Sequence, residues 1–141
     1  MGLLLNSDKH KRLIELATGA GKTLMLAILA KYICKIAQKK VLVIVPSEVL
    51  RLDVTRLYNN DYCKAAASLY DPEVPPEVFY STFENVLHDG RVLTNVILLV
   101  DEFHDFLKLP ARITPNGISC PFILIQGAYQ VIGVSATFGG Q

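Results

Sequence analysis

Apolar residues along this chain fall in short, unbroken runs separated by polar and breaker-rich stretches, as expected of strands covered on both faces of a sheet. Residues 41–45 (VLVIV) are five consecutive β-favouring positions closed by Pro46, and residues 95–100 form the most hydrophobic run, ending directly in Asp101 and Glu102. Further strands are predicted over 13–17, 64–69, 77–82 and 131–134. Residues 22–39 follow a helical period instead: Lys31, Lys35, Gln38 and Lys39 share one narrow stripe, and apolar residues fill the rest, as in a helix largely buried against a sheet. Ser47 is placed to cap a second helix running to about residue 58, and a short helix over 83–88 ends at Asp89-Gly90.

The three prolines of 71–76 rule out regular structure there, and 108–126 resists assignment because Pro110, Pro115, Gly117 and Pro121 interrupt it. Strands alternating with helices predict an α/β fold: a mostly parallel, open sheet with helices on both faces and its site along the carboxyl edge. At 141 residues, the length suits one domain over 1–141.

Composition narrows the class. Hydrophobic content of 51% against 19% charged residues excludes disorder, and a net charge of +1 gives no global basic footprint. The local cluster Lys9, His10, Lys11 and Arg12 reads as solvated surface. Cys34, Cys63 and Cys120 are odd in number and lack metal-ligand spacing, so they read as reduced thiols at or near the core, in a reducing compartment. The apolar start, Leu3 to Leu5, is too short for a signal peptide, and Lys31 and Lys35 interrupt the most apolar helix. An intracellular protein, cytoplasmic or nuclear, with no membrane partner is expected.

One loop carries chemistry. Thr18, Gly19, Ala20, Gly21, Lys22 and Thr23 join a predicted strand to a predicted helix. Small residues there let successive backbone N–H groups turn onto nucleotide phosphates, Lys22 adds a point charge, and the Thr23 hydroxyl can hold Mg²⁺. The first glycine of the full phosphate-loop pattern falls at Leu16. In the same sheet, Asp101 can hold Mg²⁺ through its water shell while Glu102 polarises the water attacking a γ-phosphate. Lys22 and Glu102 are the candidate catalytic residues, and ATP with Mg²⁺ the expected cofactors.

Four segments in order, A-T-G-A-G-K-T (17–23), V-I-V-P-S-E (43–48), D-E-F-H (101–104) and S-A-T (135–137), resemble motifs I, Ia, II and III of superfamily 2 helicases of the DEAD/DEAH kind. Y-S-T-F (80–83) weakly resembles motif Ib. The resemblance implies a RecA-like P-loop NTPase domain, the N-terminal lobe of an ATP-dependent helicase or translocase whose partner is DNA or RNA. It also implies that His104, Ser135, Ala136 and Thr137 couple nucleotide state to movement of a second RecA-like lobe. No glutamine precedes Gln38, so the adenine-reading residue common in that family has no counterpart here, and no arginine follows Ser47 in motif Ia. The chain ends four residues after Thr137, so a second lobe is expected to be absent and hydrolysis by the chain alone slow. Two alternatives remain open: a SecA-like protein-export motor, which I-E-L-A-T-G-A-G-K-T-L and D-E-F-H-D-F-L also resemble, and a non-catalytic nucleotide-binding interaction module.

Overall fold

A computed structural model of the chain describes residues 2–5, 11–15, 22–47 and 67–135. Its elements are β1 (Gly2–Leu5), β2 (Lys11–Glu15), α1 (Lys22–Ala37), β3 (Lys40–Val45), α2 (Ala67–Tyr70), β4 (Val78–Thr82) and α3 (Phe83–Asp89), followed by β5 (Val96–Asp101), α4 (Phe103–Leu107), β6 (Arg112–Thr114), β7 (Gly117–Ser119), α5 (Pro121–Gly127) and β8 (Gln130–Ser135). Six strands form one sheet in the order β1-β2-β8-β5-β3-β4, parallel except for β1, which runs antiparallel to β2. The expected α/β architecture is therefore present.

Alternation along the strands divides the core into two layers. Val41, Val43 and Val45 of β3, with Ile97 and Leu99 of β5, meet Leu26, Ala27 and Ala30 of α1. Leu42, Ile44, Leu98 and Val100 face the other way, onto Phe83, Val86 and Leu87 of α3, Phe103 and Phe106 of α4, and Leu124 and Ile125 of α5. Helices thus cover both faces. This is why the central strands read as continuous apolar runs rather than alternating ones. Among the described residues, no helix is long and apolar enough to cross a membrane.

Several expectations need correction. Residues 67–70 form helix α2, not the end of a strand over 64–69; residues 64–66 lie outside the described region, as does the helix expected after Ser47 from residue 48 on. Alanine-rich sequence favours a helix, and the Lys40 ammonium crosses to this segment, donating to the Ser68 carbonyl at 2.7 Å and the Asp71 carbonyl at 2.6 Å. Helix α1 buries a narrower face than its composition suggests. Leu26, Ala27 and Ala30 are buried, but Ile28, Tyr32 (63% exposed) and Ile36 (66% exposed) are not. Cys34 and Cys120 are half-buried. Burial first, then the nearby Glu77 carboxylate, pushes the Cys34 thiol up, which keeps it protonated.

The stretch that resisted assignment contains a hairpin and a helix. Thr114 Oγ1 donates to the Gly117 carbonyl at 2.9 Å and accepts from the Asn116 N–H at 3.1 Å, closing the β6–β7 turn. Arg112 pairs with Glu84 of α3 and, by hydrogen bonding, holds its carboxyl below the usual range. Pro121 opens α5, where its missing N–H leaves no bond unmade. Gly90 ends α3 at φ 72°, and a Cβ there would lie 2.5 Å from Thr114 Oγ1, so turn and hairpin contact both require glycine.

A polar cluster ties α2 to the end of α3. Tyr70 Oη donates to Asp89 Oδ2 at 2.8 Å, Arg91 Nη2 donates to Asp89 Oδ1 at 3.0 Å, and the guanidinium lies 3.9 Å from the Tyr70 ring centroid. Burial raises the Asp89 carboxyl, but the hydrogen bonds from Arg91 and Tyr70 outweigh it and leave the group below its ordinary range. Burial, then the bond to Asp89, pushes the Tyr70 phenol well up. A depressed carboxyl contributes stability that is present above its unfolded pKa and lost as pH falls through the folded value; a raised phenol contributes stability that is lost only in strong alkali. Asp89→Asn is therefore expected to destabilise by about 1 kcal/mol at about pH 7, allowing for partial exposure, and by less at about pH 3. Urea unfolding at the two pH values checks this; an equal loss at both contradicts it.

Candidate nucleotide site

Strand order assembles the site. β2, β8 and β5 are adjacent and parallel, so their carboxyl ends share one edge, with Glu15 paired to Ser135 and Asp101 to Val134. Lys22 and Thr23 begin the 16-residue helix α1, a short connection beyond the end of β2. A helix of this length directs unsatisfied N–H groups and a positive dipole end toward whatever lies before it. Thr18, Gly19, Ala20 and Gly21 lie outside the described residues, as do Ala136 and Thr137.

Asp101 closes β5 and is only 4% exposed. Its Oδ1 accepts the Glu102 N–H at 3.0 Å, which fixes the carboxylate against the main chain. Glu102 is half-buried and adopts the left-handed conformation (φ 49°, ψ 54°) at the N-cap of α4. For a residue with a Cβ, that conformation costs roughly 1–2 kcal/mol. The turn is held from both sides: the Glu102 carbonyl accepts the Asp105 N–H at 3.0 Å and the Phe106 N–H at 3.1 Å. Abrupt reversal at Glu102 is what ends the strand and starts the helix in consecutive residues. His104 is exposed on α4, its ring 6.2 Å from that of Phe103. Ser135, 8% exposed, ends β8.

The structure thus brings the start of α1, Asp101, Glu102 and Ser135 to one edge and sets His104 on the helix just beyond it. Thr82, in the segment resembling motif Ib, caps α3 by accepting the Asn85 N–H at 3.1 Å. Two residues escaped the sequence reading. Phe103 stood only as part of D-E-F-H (101–104), and Gly133 simply as part of the strand over 131–134. An isolated glycine inside an apolar strand was a usable signal, since it marks close approach of another group.

A sheet in this order, parallel except for β1 and covered by helices on both faces, is the α/β fold of RecA-like helicase domains. The chain belongs to the family described as "Type III restriction enzyme, res subunit", whose model matches residues 3–139. Among solved structures, the UvsW helicase from bacteriophage T4 is similar over 92% of this chain and 48% of its own, with a TM-score of 0.55 and 21% identity. The Hef helicase domain of Pyrococcus furiosus is similar over 92% of this chain and 30% of its own, with a TM-score of 0.59 and 24% identity. The Sulfolobus solfataricus SWI2/SNF2 ATPase core, solved in complex with dsDNA, is similar over 89% of this chain and 27% of its own, with a TM-score of 0.54 and 17% identity. The chain spans less than half the length of each. No curated protein matches it.

Proposed function

We propose that residues 1–141 are a single Mg-ATP-binding motor lobe, acting with a second RecA-like lobe in a helicase or translocase that moves on nucleic acid. The carrying observation is the meeting of Asp101, Glu102, Ser135 and the start of α1 at one sheet edge in a chain of this family. The donor set fits the cofactor: a long helix's N-terminus suits phosphate, and a carboxylate and a hydroxyl are hard oxygen ligands suited to Mg²⁺.

In this reading the backbone of Thr18 to Thr23 cradles the phosphates, Lys22 neutralises their charge, and Thr23 and Asp101 hold the metal. Bound Mg-ATP supplies the transferable phosphoryl group and the charge that draws it into line. Glu102 accepts a proton from the attacking water. His104, Ser135, Ala136 and Thr137 transmit nucleotide state to the second lobe. An arginine finger contributes roughly 10³ to 10⁵ in rate, so residues 1–141 assayed apart from a second lobe are expected to bind nucleotide and turn it over slowly.

Calorimetric titration tests the reading. Mg-ATP is expected to bind with a Kd between about 1 μM and 1 mM, the ordinary range for substrates, and chelation of Mg²⁺ is expected to weaken it. Steady-state hydrolysis by the chain alone near the median enzyme rate of roughly 10 s⁻¹ would sink the slow-turnover part. In the protein carrying both lobes, stimulation by DNA or RNA supports the helicase assignment. Stimulation by unfolded polypeptide, with none by nucleic acid, overturns it in favour of an export motor.

A further inference from the structure

Glu102 holds a backbone conformation that its own side chain disfavours, so something outside the turn must keep it there. Hydrogen bonds within α4 account for its carbonyl, and Asp101 for its N–H. These bonds lie within the turn and at the end of β5. The next residue reaches the neighbouring strand: Phe103 is buried against β8 at Gly133, and a Cβ built on Gly133 would lie 2.5 Å from Phe103 Cγ, 2.8 Å from Cδ2 and 2.9 Å from Cβ.

Those atoms are the near end of the side chain. Rotation about χ1 would carry Cγ and Cδ2 away from a methyl group at 133, but it would expel the ring from its seat, and Cβ, at 2.9 Å, does not move with χ1; relief there takes a main-chain shift at 133 or at 103, next to Glu102. Gly133 is paired with Val100 of β5 and lies two residues before Ser135. The same contact therefore joins the strand ending in Ser135 to the turn carrying Glu102.

We propose that Phe103, seated on the bare backbone of Gly133, is a positioning residue that holds Glu102 in its left-handed turn and so aims the Glu102 carboxylate. The role in hydrolysis rests on the nucleotide-site reading above; the hold on the turn does not. Phe103 touches no reacting group in this account and acts through Glu102 alone.

The test uses the full chain, with Phe103→Leu, Phe103→Ala, Gly133→Ala and the double variant Phe103→Ala/Gly133→Ala. Leucine retains Cβ, Cγ and Cδ2, the atoms that meet Gly133, whereas alanine retains only Cβ. The readouts are the NMR cross-peak between the Glu102 amide and its own α proton, which is strong at positive φ, the affinity for a fluorescent ATP analogue with Mg²⁺, and the single-turnover hydrolysis rate. In Phe103→Leu the cross-peak and rate are expected to persist. In Phe103→Ala the cross-peak should weaken and the rate fall roughly tenfold to a hundredfold, the scale of effect of a misplaced catalytic group, with affinity changed by less than about threefold. The double variant should recover the melting temperature lost in Gly133→Ala but not the rate. Should Gly133→Ala fail to fold, the two Phe103 variants decide the matter.

A Phe103→Ala protein that melts lower yet keeps the Glu102 cross-peak and the parental rate would overturn the proposal and leave Phe103 as core packing. A parent that binds no ATP would instead overturn the nucleotide-site reading, and the cross-peak would still decide whether Phe103 holds the turn.

Discussion

Glu102→Gln is expected to lower the single-turnover hydrolysis rate roughly 10²- to 10⁴-fold, the range contributed by a positioned general base, while leaving Mg-ATP affinity within about threefold. Glutamine matches glutamate in shape and retains the Cβ that the left-handed turn already accommodates, so the substitution removes proton acceptance and little else. The half-buried setting beside Asp101, on a turn whose amide and carbonyl are both hydrogen-bonded, argues that the group is held rather than mobile. Rapid-quench assays with excess protein measure the rate without requiring fast turnover. A rate loss below about threefold would remove Glu102 from the role of base and redirect attention to a water held by other groups.

Lys22→Ala is expected to act on the other quantity, affinity. A hydrogen bond to a charged group is worth about 1.5–3 kcal/mol, so loss of one ammonium–phosphate contact should raise the Kd for Mg-ATP roughly 10- to 150-fold. The residue begins α1, whose N-terminal backbone still favours phosphate, and some binding should survive. Calorimetry with Mg-ATP, and separately with Mg-ADP, checks both points. Unchanged affinity in Lys22→Ala would contradict a phosphate-binding loop at 18–23 outright. Together the two variants split the site: one carboxylate governs the rate, one ammonium the binding.

The central strands were legible because each is covered on both faces, so its sequence alone reports its environment. Residues 41–45 and 95–100 became β3 and β5 with boundaries shifted by one residue, and 77–82 became β4 with a similar shift. The edge was harder to read. β1 spans four residues, Gly2–Leu5, and exists through its pairing with β2, a contact that no local pattern encodes. The hairpin β6–β7 likewise depends on Thr114 closing its turn and on Arg112 reaching Glu84. Helix α2 was misread because a short run of alanines, serine, leucine and tyrosine suits either state until the Lys40 ammonium engages its carbonyls.

The site divides in the same way. Asp101 and Glu102 stood out in the sequence because an acidic pair ends the most apolar strand, but nothing local could reveal that Glu102 takes a positive φ. That conformation is rare for glutamate and needs the surrounding contacts to hold it. Gly133 was visible as a glycine in a strand, and its reason became visible only when Phe103 proved to occupy the space a Cβ would fill. The breadth of the apolar face of α1 was overestimated for a related reason: periodicity reports which residues share a face, not how much of that face the sheet can cover.

By itself, the sequence determined the α/β class, the succession of buried strands, and the placement of ligand-type residues at strand ends, since strand period, breakers and capping residues all act within a few positions. Only the tertiary structure decided that β2, β8 and β5 lie side by side, pairing Glu15 with Ser135 from opposite ends of the chain and setting Asp101 on the other side of β8, opposite Val134. The physical reason is that strand neighbours are chosen by which apolar faces the crossover helices can bury together, a competition among distant segments that no window of sequence contains.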